Sequence, residues 1–198
     1  MDLATYLNAV TGFFVIIDPI GAALVFHSLV PGDEKQHRKV MAFKAITISA
    51  LLLIIFGNYG QPLLNQLGIN INSLRIAGGL LLFYTAFNMI TEDIEYASPT
   101  EKKDISVFPM SIPLLAGPGS LTLSILLFSN SNGSAEDLSV LAAIITICLL
   151  TLILMLISKY LKKVIGKTGD EILRRFLGVI LAALAIQFIY DGIINMVA

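Results

Sequence analysis

Charge and cysteine are both scarce in this sequence, and each scarcity closes off a class of protein. Of 198 residues only 14% are charged, against roughly 25% in soluble globular chains. At the same time 56% are hydrophobic and the mean hydropathy is +0.84, so a soluble fold is excluded. The single cysteine, Cys148, lies in an apolar run; it has no partner for an internal disulfide, and cysteine usage says nothing about compartment. Net charge is -1 and no stretch interleaves basic residues with aromatics, so the electrostatic footprint of nucleic-acid binding is missing. His27 and His37 have no partners at ligand spacing, and no metal site is expected. No Lys or Arg precedes the first hydrophobic stretch, whereas a cleaved signal peptide needs a basic leading region; that stretch is expected to be a mature helix. Membrane depth holds no Ser-His, His-Glu or paired-Asp set, and a thiol electron carrier would need a second cysteine, so the chain is not expected to be an enzyme.

What is present is a succession of apolar runs near residues 6-30, 40-58, 73-91, 107-129, 138-158 and 176-197. A bilayer core takes about 20 mostly apolar residues per helix, so six crossings are expected in one integral membrane domain, 1-198. The end of the second is open: 57-72 carries no charge and allows extension toward Leu67, while Gly60 and Pro62 punctuate it as a turn. Basic residues sit in alternate connections: Lys35, Arg38, Lys39 and Lys44 in 31-44, Lys102 and Lys103 in 92-106, and six between Lys159 and Arg175. Positive residues mark cytoplasmic loops. Both termini are therefore expected outside, periplasmic in a bacterium.

Shifted by 99 residues, half its length, the chain overlies itself without a gap. Asp18-Pro19-Ile20-Gly21 falls on Gly117-Pro118-Gly119-Ser120, Ile46-Thr47-Ile48 on Ile145-Thr146-Ile147, and Leu74-Arg75 on Leu173-Arg174. On the third and sixth helices the shared positions are Arg75, Gly79, Leu82, Ala86 and Ile90, one face of a helix. A shared face with small residues points to helix–helix packing. Three crossings is an odd number, so repeats of about 1-99 and 100-198 must be inverted relative to each other, an arrangement common among secondary transporters.

The most informative residues lie in the middle of the first and fourth runs. Proline removes a backbone donor and glycine permits non-helical backbone, so both helices are expected to break there, near mid-membrane. Each break reads as a restart, with Asp18 as N-cap and Pro19 at the first helical position, and Gly117 with Pro118 repeating the pattern. Inversion makes the two new half-helices start from the midplane, and their positive dipole ends converge there. Free N–H groups favour an anionic group, while unpaired carbonyls before each break favour a cation or an ammonium. A zwitterion such as an amino acid presents both.

The candidate substrate-binding residues are therefore Asp18, Pro19, Ile20, Gly21, Gly117, Pro118, Gly119, Ser120 and Thr122. Asp18 is the one carboxylate placed near the bilayer centre, where an ionisable group is a functional hypothesis by default; it also serves plainly as a helix cap. No cofactor is expected other than a coupling proton or sodium ion, which Asp18 is placed to take up. Gly117-Pro118-Gly119 reads either as a packing kink or as close backbone approach to a ligand. Tyr84 and Asn88, with Gln187 paired to Asn88 by the repeat, are supporting polar candidates whose plainer role is interhelical hydrogen bonding. Ser120, Thr122 and Ser124 line a path or bond back to their own helix.

With these residues in hand, the chain resembles the MarC family of bacterial inner-membrane proteins along its whole length. The resemblance rests on Asp18-Pro19-Ile20-Gly21 and on the more specific run Pro113-Leu114-Leu115-Ala116-Gly117-Pro118-Gly119-Ser120. Where many members continue the first motif with a polar residue and a further proline, this chain has Ala22-Ala23-Leu24. The resemblance implies an inner-membrane protein of six crossings and, from some members, transport of neutral amino acids. A small-solute channel and a non-transporting membrane subunit are the competing readings: a channel wants more pore-lining polar residues than appear here, and a subunit leaves two centred breaks unexplained. The partners are the lipid bilayer and a small-molecule substrate; oligomeric state is open.

Overall fold

The computed structural model describes residues 1–30, 35–91 and 104–197, all of its regular structure helical. The elements are α1 (Leu3–Ile17), α2 (Pro19–Leu29), α3 (Lys35–Gln66), α4 (Ile71–Thr91), α5 (Ser106–Leu115), α6 (Pro118–Ser129), α7 (Ser134–Leu156) and α8 (Ser158–Val197). Five stretches are long and apolar enough to cross a membrane: Leu3–His27, Lys35–Gln66, Ile71–Thr91, Ser134–Leu156 and Glu171–Val197. Counting α5 and α6, which meet at a bend of 57°, as one further span makes six. Lys102 and Lys103 lie outside the described residues.

The second span takes the longer of its two readings. Instead of turning at Gly60 and Pro62, α3 runs on to Gln66. Gly57 and Gly60 are packing positions: a β-carbon at 57 would stand 2.6 Å from Ser124 Oγ, and one at 60 would stand 2.5 Å from Ile125 Cγ1, both on α6. Pro62 is exposed and close to the helix end, so it forfeits a single hydrogen bond, that to the Asn58 carbonyl. The turn comes at Gly68, in a left-handed conformation (φ 70°). The Ile69 N–H reaches the Leu64 carbonyl at 2.8 Å and the Gly68 N–H reaches that of Asn65 at 3.1 Å, the two bonds of a Schellman stop.

The basic 159-175 stretch is likewise helical, a part of α8 interrupted at Gly166 (φ 65°, ψ 179°). Lysine, glutamate and arginine are good helix formers, and Arg175 donates to Glu171 one turn earlier at 2.6 Å. The basic residues therefore stand on a bent helix and not in an open loop.

Helices adjacent in sequence are seldom the main packing partners. α1 packs on α7, α2 on α7 and α8, α3 on α5, α6 and α7, and α4 on α8 and α6. The main buried core joins α1, α2, α3, α5, α6 and α7 around Phe13, Phe26, Leu53, Met110, Leu115, Ile144 and Met155. Leu82 and Ala86 of α4 with Leu181 and Ala185 of α8 form a second, separate cluster. At one end Arg38 of α3 ties three elements together, donating to Ser158 Oγ at 2.6 Å, lying 3.4 Å from His27 Nδ1 and standing 5.8 Å over the Phe26 ring.

Candidate functional site

α1 stops because Asp18 adopts a left-handed conformation (φ 47°, ψ 72°), one that aspartate tolerates better than most residues. Pro19 then opens α2. Proline supplies no N–H for the Val15 carbonyl, and the Gly21 N–H, which would otherwise serve Ile17, goes to Asp18 Oδ1 at 3.0 Å. Two carbonyls at the end of α1 thus lose their helical donors. The carboxylate folds so closely over residue 21 that a β-carbon there would overlap Oδ2. Asp18 is half-buried and Pro19 buried.

The second interruption is built differently. α5 is wound as a π-helix carrying Pro109 and Pro113, with the Ala116 N–H reaching back five residues to the Ser111 carbonyl at 2.8 Å. Gly117 follows in extended conformation as the N-cap of α6. It must be glycine, since a β-carbon would overlap the Pro113 carbonyl oxygen. Pro118 is the first helical residue, and no side chain caps the helix. The N–H groups of Gly119 and Ser120 are the donors that a cap would have taken. Ser120 sends its hydroxyl backward instead, to the carbonyls of Leu115 at 2.8 Å and Gly117 at 3.1 Å.

The start of α6 lies against the end of α1. A β-carbon at Gly119 would stand 3.4 Å from Ile16 Cγ2 on α1, and the Leu82 side chain of α4 fills the remaining space at Gly119. One turn up, Thr122 packs its side chain onto Gly78 of α4. Gly117, Gly119, Ser120 and Thr122 are all buried, while Pro118 is exposed.

The remaining polar candidates are elsewhere. Tyr84 is 65% exposed, Asn88 is half-buried, and Gln187 is exposed and donates to Asp191 of its own helix at 2.7 Å. They lie off the stripe by which α4 and α8 pack, and the breaks do not include them. Ser124 gives its hydroxyl to the Leu53 carbonyl of α3 at 2.7 Å, an interhelical bond and not an open path. Ser111, missed in the sequence, does the same with the Ala45 carbonyl at 3.0 Å; a lone hydroxyl in an apolar run was its signal. Of the two residues that cover the second break, Leu82 was marked only as a member of the shared stripe, and Ile16 left no signal among so many apolar residues.

The profile of the family described as "MarC family integral membrane protein" matches residues 3–197. The chain belongs to the MarC family. Curated relatives of this MarC-family chain include the UPF0056 membrane protein YvbG of Bacillus subtilis, 32% identical with 99% of this chain and 97% of the relative covered. A UPF0056 membrane protein of Archaeoglobus fulgidus is 31% identical over 98% and 96%, and one of Methanocaldococcus jannaschii is 32% identical over 98% of each. No solved structure matches significantly. Family and apolar helices together make this an integral, multi-pass membrane protein of MarC type.

Proposed function

We propose that the chain is a secondary transporter of small neutral amino acids, or similar small zwitterionic solutes, across the bacterial inner membrane. Substrate binds between the two interruptions, near mid-membrane. The observation that carries this reading is the difference in capping between the starts of α2 and α6. Asp18 occupies the N-terminus of α2 with its own carboxylate, whereas that of α6 has no side-chain cap. An external carboxylate therefore goes to the Gly119 and Ser120 N–H groups. An ammonium goes to the carbonyls at the end of α1 and to Asp18. On this reading the role of the N–H groups after Pro19 passes to Asp18 itself, which also takes up the coupling proton or sodium ion.

The inverted repeat is supported by how packing partners exchange. Swapping α1 with α5, α2 with α6, α3 with α7 and α4 with α8 turns the α1–α7 contact into α5–α3, α2–α7 into α6–α3, and α2–α8 into α6–α4, all of which occur. α3–α7 and α4–α8 map onto themselves. Alternating access about a central site follows naturally from that relation. The covering of Gly119 by Leu82 favours occluded transport over an open channel.

Purified protein in proteoliposomes, offered a panel of labelled amino acids with proton and sodium gradients imposed separately, tests the proposal. Uptake or efflux of at least one neutral amino acid under one gradient is expected. If no amino acid moves under either gradient, the transporter reading is wrong.

A further inference from the structure

α4 and α8 pack on each other more extensively than on any other helix. Of their buried apolar residues, Leu82, Ala86, Leu181 and Ala185 form a cluster of their own, and among the described residues α8 meets the main core only through the partly buried Leu161 and Phe188. They are also the least enclosed spans, 22% and 28% buried against 39–50% for α1–α2, α3 and α7. Within the pair, backbone meets backbone: a β-carbon at Gly79 would stand 2.8 Å from the Ala185 carbonyl oxygen, and one at Gly178 would stand 3.2 Å from that of Ala86. Interlocked in this way, the pair moves as one body more readily than it comes apart.

That body touches both halves of the site. Leu82 fills the space at Gly119, over the uncapped start of α6, and Val15 and Ile16, at the end of α1, pack against the same cluster. A leucine at this point keeps water from N–H groups that would otherwise be hydrated. A substrate carboxylate reaches them only if Leu82 withdraws.

We propose that Leu82 is the stopper of the site, and that the α4–α8 pair is the unit that carries it on and off α6. The inference rests on the site read above, and adds which part of the molecule moves. It differs from rocking of one sequence half against the other, since the moving body takes one helix from each half.

The test uses single-cysteine chains in which Cys148 is replaced by alanine. Leu82→Cys is compared with Leu181→Cys, which removes an equal side chain from the same cluster on the α8 side. Both are reconstituted and exposed to a small impermeant thiosulfonate reagent, with a mixture of glycine, alanine, serine and threonine under an imposed gradient. Labelling severalfold faster at Leu82→Cys than at Leu181→Cys, and accelerated by the mixture, is the expected result. Hydrogen exchange on the unsubstituted chain gives a second reading that no folding defect disturbs: the Gly119 and Ser120 amides should lose protection when mixture and gradient are applied. Equal labelling at both positions, or labelling at neither while transport proceeds, overturns the stopper. Preferential labelling at Leu82→Cys without transport of any component overturns the transporter reading and leaves the moving pair in place.

Discussion

Gly79 of α4 sits so close to Ala185 of α8 that a β-carbon on the glycine would stand 2.8 Å from the alanine's carbonyl oxygen. Ninety-nine positions on, Gly178 stands in the same relation to Ala86, at 3.2 Å. Ile189 Cγ1 and Ile90 Cγ1 stand nearer still, at 2.7 Å and 2.9 Å, and because main chain lies beside them a rotamer change alone does not clear the space. Gly79→Leu and Gly178→Leu are each expected to lower folded yield and to destabilise by about 1–3 kcal/mol or more, the range for overpacking. Thermal unfolding in detergent measures this, and variants that express and melt like the parent would place the stripe toward lipid.

Asp18 offers a separation of shape from charge. Asparagine caps nearly as well and tolerates a positive φ, so Asp18→Asn is expected to fold normally and to lose gradient-driven transport. Asp18→Ala loses the cap to Gly21 as well, and is expected to be about 1 kcal/mol less stable. A transport assay beside a melting curve checks both. Full transport by Asp18→Asn would reduce the residue to a cap.

Ahead of α5, Asp104 accepts from the Ser106 side chain and N–H, and pairs with Lys44 of α3 at 3.0 Å. The Ser106 hydrogen bonds, and then Lys44, lower its carboxyl from 3.8 to about 2. A carboxyl depressed on folding contributes stability above its unfolded value, and that contribution is lost as pH falls toward the folded one. The stability difference between the parent and Asp104→Asn should therefore be constant above about pH 4 and shrink between there and pH 2. Both partners are about half exposed, so the difference is small. Melting temperatures of both chains across that window, in low salt, measure it.

Orientation is testable at the exposed Lys163 of α8. With the basic stretch cytoplasmic, Lys163→Cys in a chain lacking Cys148 should react with an impermeant thiol reagent only after cells are opened. Reaction in intact cells would reverse the topology.

Some of this architecture was legible because it depends on local chemistry or strict periodicity. α1 ends at Ile17 and α6 begins at Pro118, helix ends that Asp18-Pro19 and Gly117-Pro118 set through their own backbone preferences. Gly79 and Gly178 were marked by recurring on one helical face in both halves. Gly60 and Pro62 left the end of the second span open because a glycine that admits a neighbouring helix and one that ends its own look alike until α6 is in place. Gly68, which does end α3, has nothing within 4 Å of where its β-carbon would be. The basic stretch of α8 looked like a loop because charge was weighed as a topology signal, although its residues are also helix formers. The carboxylate of Asp18 was legible as a cap, but its consequence for the site was not, since only the fold reveals that the opposing helix is uncapped.

The packing order has a consequence for the chain as it is made. α1, α3 and α4 each find a main partner in the second half of the sequence, so the first half has no bundle of its own to settle into. Thr91 closes α4, and Gly178, the first glycine of its partner stripe, emerges about 90 residues later. At translation rates of about 5–20 residues per second that is roughly 5–20 s. Throughout this interval the glycine face of α4 lies open to lipid or to whatever machinery inserts it. A nascent chain halted after residue 99 would hold three inserted helices without a packed fold, an orphan for membrane quality control to find.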